Sequence, residues 1–139
     1  MQQIPTNPSG GNELLYPDLS YEIVGCCYDT HNELGPFAKE KQYGDLLENK
    51  LREKNIAYKR EIQIGDTGNT VDFIIEGKFL LELKAKRFLL KEDYLQTQRY
   101  LQASGVKLGI LVNFRGTFAR THRVVRIDNP GRKPPAAHS

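Results

Sequence analysis

The stretch VDFIIEGKFLLELKAK, residues 71–86, does most to limit what this chain can fold into. Two apolar runs flank a short turn around Gly77, the pattern of a β-hairpin. Asp72, Glu82 and Lys84 interrupt those runs. A charge buried without a partner costs several kcal/mol or more, so each of the three needs a reason to be there.

The flanking sequence sets the hairpin in an α/β chain. A helix is expected over residues 20–34, with Ser20 as N-cap, an apolar stripe of Ile23, Val24, Cys27 and Leu34, and a stop at Gly35-Pro36. A second helix is expected over residues 38–55, with Tyr43, Leu47 and Leu51 on one side. Glu40 lies on that same stripe. Either it complements the positive end of the helix dipole, or it is an inward-facing carboxylate with a task. AYKREIQIG, TVDFIIEG and KFLLELKAK follow as strand candidates. LLKEDYLQTQRYLQASG then reads as a helix, and KLGILVNF and HRVVRI as further strands. This order predicts an α/β sandwich, a mixed sheet of about five strands flanked by helices.

At 139 residues the chain is expected to form one domain, over residues 18–127. Residues 1–17 and 128–139, rich in Pro, Gly and polar residues, read as disordered tails. No apolar run approaches the ~20 residues of a membrane span, and no secretory signal pattern opens the sequence. Cys26 and Cys27 are the only cysteines, and adjacent cysteines suit space-filling on a helix better than a disulfide or zinc framework. A cytoplasmic setting is expected. The net charge of +3 permits a nucleic-acid partner without demanding one, and the oligomeric state is open.

Glu82 and Lys84, two apart on a strand, share a face. A two-residue turn at Glu76-Gly77 would pair Asp72 with Leu81 and send its carboxylate to the other side. A three-residue loop, residues 76–78, would instead set Asp72 opposite Glu82. Gly77 suits either loop, so the sequence leaves the register open. In the second register two carboxylates converge, and such oxygen ligands suit Mg²⁺ or Mn²⁺.

Asp72 followed by Glu82-Leu83-Lys84 resembles the D…ExK core of the PD-(D/E)XK nuclease superfamily. Gln96 and Tyr100 match the QxxxY motif of its branch of RecB-type and lambda-type exonucleases. The span from about residue 19 to 127 is similar to the small bacterial GxxExxY proteins through SYEIVG, HNELGP, Glu40 with Tyr43, LELKA and GILVNF. The namesake glycine position is occupied by Phe37. The resemblance implies a restriction-endonuclease-like fold and a metal-dependent phosphodiesterase acting on DNA or RNA. It implies Asp72 and Glu82 as metal ligands, with Glu40 as a further ligand or a group behind them, and the Leu83 carbonyl facing the ion. It makes Lys84 the catalytic cation beside Asp72 and Glu82, and Tyr43, Gln96 and Tyr100 supporting residues.

RGTFARTHRVVR, residues 115–126, holds four arginines and no acid. Arg115, Arg120, Arg123 and Arg126 are therefore candidates for backbone contacts to nucleic acid, with Lys84, Lys86, Arg87 and Lys91 adding charge nearby. His31 and His122 are isolated in sequence and carry no catalytic expectation. Two other functions stay open: an inactive nuclease-fold module that binds nucleic acid or a protein, and an interaction domain whose charges form an ion-paired network.

Overall fold

The structure, a computed structural model, describes residues 15–66 and 68–128. The expected tails fall, apart from residues 15–17 and 128, outside the described residues. Three helices and five strands follow in the order α1 (Pro17–Leu34), α2 (Glu40–Glu53), β1 (Tyr58–Gln63), β2 (Thr70–Ile75), β3 (Phe79–Lys84), α3 (Lys91–Ser104), β4 (Leu108–Asn113) and β5 (Arg120–Val125).

Helix α1 begins one turn before the expected N-cap. Pro17 occupies its first position, where a missing N–H costs nothing and the ring presets φ. Ser20 therefore lies inside the helix, its hydroxyl turned back to the Pro17 carbonyl at 3.2 Å. The helix ends as expected at Gly35, whose φ of 76° suits glycine and whose N–H returns to the His31 carbonyl. Cys26 and Cys27 are buried free thiols on its inner face, and burial pushes both thiols up. Helix α2 starts at Glu40, after Lys39 donates its N–H to Gln42 Oε1 at 2.8 Å. Tyr43, Leu47 and Leu51 recur at helical spacing and are fully buried.

The strands form one sheet in the order β1-β2-β3-β4-β5. Neighbours are antiparallel except β3 and β4, which are parallel and joined by α3. Such a parallel pair needs a long crossover, which α3 supplies. β2, β3 and β4 are the inner strands, and every residue of β4 is buried, which explains its unbroken apolar run. Alternate strand residues divide between two layers. Phe73, Ile75, Leu81, Leu83, Ile110 and Val112 pack under α1 and α2, while Leu80, Leu111 and Val124 meet Tyr100 and Leu101 of α3. Gly109 permits that second contact, because a Cβ there would lie 2.9 Å from Thr97 Cγ2. The mixed five-stranded α/β sandwich expected from the sequence is the fold found. Among the described residues no helix is long and apolar enough to cross a membrane.

Candidate active site

The β2–β3 turn decides where the charges go. Glu76 and Gly77 both take left-handed conformations, with φ of 50° and 67°, and Lys78 N–H closes the turn on the Ile75 carbonyl at 2.8 Å. Ile75 pairs with Phe79, Ile74 with Leu80 and Phe73 with Leu81. This is the three-residue register, and one step further it sets Asp72 opposite Glu82.

There the side chains take over from the ladder. Asp72 N–H donates to Glu82 Oε2 at 3.0 Å, and Leu83 N–H donates to Asp72 Oδ2 at 2.7 Å. Each carboxylate thus satisfies a backbone donor across the strand pair and keeps a second oxygen for another partner. Glu82 is only 5% exposed and Asp72 is half-buried. Burial, then the Asp72 charge, pushes the Glu82 carboxyl up to about 8. Burial also raises Asp72, with the Leu83 N–H opposing and Glu40 adding to the rise. Burial first, then the Glu82 and Asp72 charges, raises the phenol of Tyr100 on α3. The site is short of positive charge.

Lys84 does not supply that charge by direct contact. Its Nζ lies 3.3 Å from Gln96 Oε1 and 3.9 Å from Asp93 Oδ1, both on α3. Asp93 also accepts from Lys86 Nζ at 2.9 Å and from Leu90 N–H at 2.7 Å. Among the described residues the ion-pair partner of Lys84 is Asp93, and its charge reaches Asp72 and Glu82 only at longer range, lowering both. Glu40 opens α2 at the mouth of the site, exposed, with Oε2 3.3 Å from Ala85 N–H. Its charge reaches both carboxylates, raising Asp72 and Glu82. Tyr43 stays in the core. Its ring stacks on Phe114 at 4.1 Å, and its hydroxyl donates to the Gly35 carbonyl and accepts from Ala38 N–H. It braces the connection that delivers Glu40.

The donor set suits a hard divalent cation in kind: two repelling carboxylates, each with one oxygen that takes no hydrogen bond among the described residues, and a third carboxylate nearby. It is not a closed cage. Among the described residues, no three acidic, histidine or cysteine side chains converge on one ion position. Asp72 and Glu82 would hold such an ion, with Glu40 at greater reach.

Three residues escape the sequence reading. Asp93 looks like an ordinary first-turn acid, but its spacing of three and seven to Gln96 and Tyr100 puts all three on one helix face. Asn113 pins the segment after β3: its Oδ1 accepts Lys86 N–H at 3.1 Å and its Nδ2 donates to the Lys86 carbonyl at 2.8 Å. Arg60 on β1 bridges Asp45 and Glu48 of α2 and lowers Asp72 at longer range. It lies where a Cβ on Gly44 would sit, 2.5 Å from its Nη2.

The four arginines of residues 115–126 do not form one patch. Arg115 and Arg120 are exposed at the site end of the sheet, Arg120 opposite Asn113. Arg123 turns to the α1 layer, where its guanidinium donates to Ser20 Oγ at 2.9 Å and to the Leu15 carbonyl at 2.6 Å. Arg126 lies at the far end of β5, bonded to Asp128. His31 Nε2 donates to the Gly116 carbonyl of the same loop at 2.9 Å, and His122 packs edge-on to Tyr94.

No curated protein matches the sequence. Among solved structures, one named SSO0001 superposes with a TM-score of 0.48 at 19% identity, covering 78% of this chain and 68% of its own. An alkaline exonuclease from Laribacter hongkongensis gives 0.45 at 14% identity, covering 78% and 70%. The family model of the PD-(D/E)XK nuclease superfamily matches residues 17–127, so the chain belongs to that superfamily.

Proposed function

We propose that the chain is a metal-dependent phosphodiesterase acting on DNA or RNA, within the GxxExxY group and the QxxxY branch of its superfamily. The observation that carries this is the pairing of half-buried Asp72 with buried Glu82, opposed across β2 and β3, with Lys84 two residues on. Mg²⁺ or Mn²⁺ is the expected ion, and when bound it would polarise a phosphate and lower the pKa of a coordinated water. Asp72 and Glu82 hold it, and Glu40 adds negative charge from the mouth. Lys84, kept at α3 by one N–H to Gln96 and by the Asp93 charge, has further N–H donors to offer a phosphate oxygen or the attacking water. Tyr100 supports the pair from α3, within reach of both charges. Arg115 and Arg120 are the arginines placed to meet a phosphate backbone. The two free, buried cysteines suit a reducing compartment such as the cytoplasm.

One observation favours an inactive binding module instead: with Lys84 drawn to α3, a proton on Glu82 can relieve the charge repulsion without a metal. The pure protein incubated with labelled single- and double-stranded DNA and RNA, in Mg²⁺, Mn²⁺ or EDTA, separates the two. Cleavage that requires metal and disappears in Asp72→Asn and Glu82→Gln supports the phosphodiesterase. Binding with no cleavage under any metal makes the chain an inactive module.

A further inference from the structure

The six phenylalanines divide into two sets. Phe73, Phe79 and Phe114 are fully buried, whereas Phe37, Phe88 and Phe118 are 78%, 69% and 73% exposed. The exposed three all lie on connections at one end of the sheet: α1–α2, β3–α3 and β4–β5. That is the end where β3 and β4 finish and where Asp72, Glu82 and Lys84 gather. Scattered apolar residues on a surface need no explanation, but aromatic rings grouped at the mouth of a site do.

Two of the rings carry a guanidinium. Arg115 Cζ lies 5.1 Å from the Phe37 centroid, and Arg87 Cζ lies 5.8 Å from the Phe88 centroid. Asn113 roots both pairs, because its Oδ1 accepts the N–H of Lys86, next to Arg87, and that of Arg115 at 3.4 Å. Glu40, three residues after Phe37, is bonded to Ala85, three residues before Phe88. The two pairs therefore stand on segments joined to each other and to the carboxylates.

A ring beside a cation matches the alternation of base and phosphate along a nucleic-acid strand. Paired bases in a duplex keep their faces stacked on one another, whereas a single strand can lay each base on a protein ring. An apolar peptide would cover the rings and leave the guanidinium groups facing no anion, so charge favours a polyanion. We propose that Phe37 with Arg115 and Phe88 with Arg87 form a stacking platform for single-stranded nucleic acid. The bases rest on the rings, the phosphates meet the guanidinium groups, and the strand is led to the Asp72–Glu82 pair. The proposal deepens the phosphodiesterase reading and rests on it for the site's purpose, but it is tested by binding alone.

The chain has no tryptophan, so Phe37→Trp and Phe88→Trp each install a single reporter on an exposed ring. In EDTA, oligo(dT) or oligo(U) should quench that fluorescence saturably, and a blunt-ended DNA duplex of equal length should not. The two single strands, compared side by side, distinguish DNA from RNA as the preferred ligand. The double variant Phe37→Leu/Phe88→Leu keeps apolar bulk without a π face, and should bind labelled single strands at least about tenfold more weakly. Phe37→Tyr/Phe88→Tyr should restore binding, and unchanged melting curves confirm that the variants fold. The proposal is overturned if the leucine variant binds single strands like the parent, or if the duplex binds more tightly and neither strand quenches the reporters. Metal-dependent cleavage by the same parent protein would then show that the phosphodiesterase reading survives without the platform. Quenching by single strands in a protein that never cleaves would support the platform and remove the phosphodiesterase.

Discussion

Glu82→Gln should make the metal-free protein more stable at pH 7, although it removes a residue central to the site. The amide is isosteric, and its oxygen can still accept the Asp72 N–H now held by Glu82 Oε2. What disappears is a carboxyl raised from 4.5 to about 8 by burial and by Asp72. A raised carboxyl binds its proton more tightly folded than unfolded. Its penalty is therefore absent below pH 4.5, grows as pH rises, and levels off above about 8. At pH 7 the unfolded side chain has titrated across about 2.5 pH units while the folded one has kept its proton, a cost of ~3 kcal/mol at ~1.4 kcal/mol per unit. Part of the penalty belongs jointly to Asp72, so a gain of about 1–3 kcal/mol is expected, several degrees in melting temperature for a chain of this size. Thermal melts in EDTA from pH 4.5 to 8.5 measure it. The variant's advantage should vanish near pH 4.5 and widen through neutrality. Adding Mg²⁺ or Mn²⁺ should then stabilise the parent and leave the variant nearly unmoved. An advantage that is absent, or that does not change with pH, would refute the repelling-pair account.

Three further outcomes test other parts of the site. Lys84→Ala should leave the metal-induced stabilisation intact while slowing any cleavage by ~10²–10³, as read in single-turnover assays; an unchanged rate removes Lys84 from the chemistry. Arg120→Ala should weaken nucleic-acid binding and reduce its salt slope by about one, whereas Arg123→Ala should cost about 1–2 kcal/mol of stability because it releases Ser20 and the Leu15 carbonyl. Salt titrations and melts on both variants check the pair, and matching effects would show that the two arginines do the same job. Tyr43→Phe should cost about 1–3 kcal/mol, because it strands the Gly35 carbonyl and the Ala38 N–H, and amide exchange at Ala38 should accelerate.

Much of this protein is legible without coordinates, for local reasons. Gly35-Pro36 stops one helix, Gly105 stops another, and the short apolar run of residues 108–112 reads as an interior strand. Asp72, Glu82 and Lys84 stand out because charges are rare where both neighbours are apolar. Pro17 competes with Ser20 as a start signal and wins, since its fixed φ suits the first helical position and its missing N–H leaves one donor fewer to satisfy there. The rest depends on long-range geometry. Whether Asp72 meets Glu82 turned on one residue of loop length, and the two positive φ values at Glu76 and Gly77 settled it. Asp93, Asn113 and Arg60 look ordinary in sequence, because their meaning comes from partners on other elements. The basic run of residues 115–126 misleads for the opposite reason. A strand rises ~3.3 Å per residue and alternates its faces, so neighbours in sequence become a contact under α1, an exposed cation at the site and another about 20 Å away. Composition and pattern determine which segments fold and which residues are costly to bury. Only the register of the strands decides which of those costs are brought together.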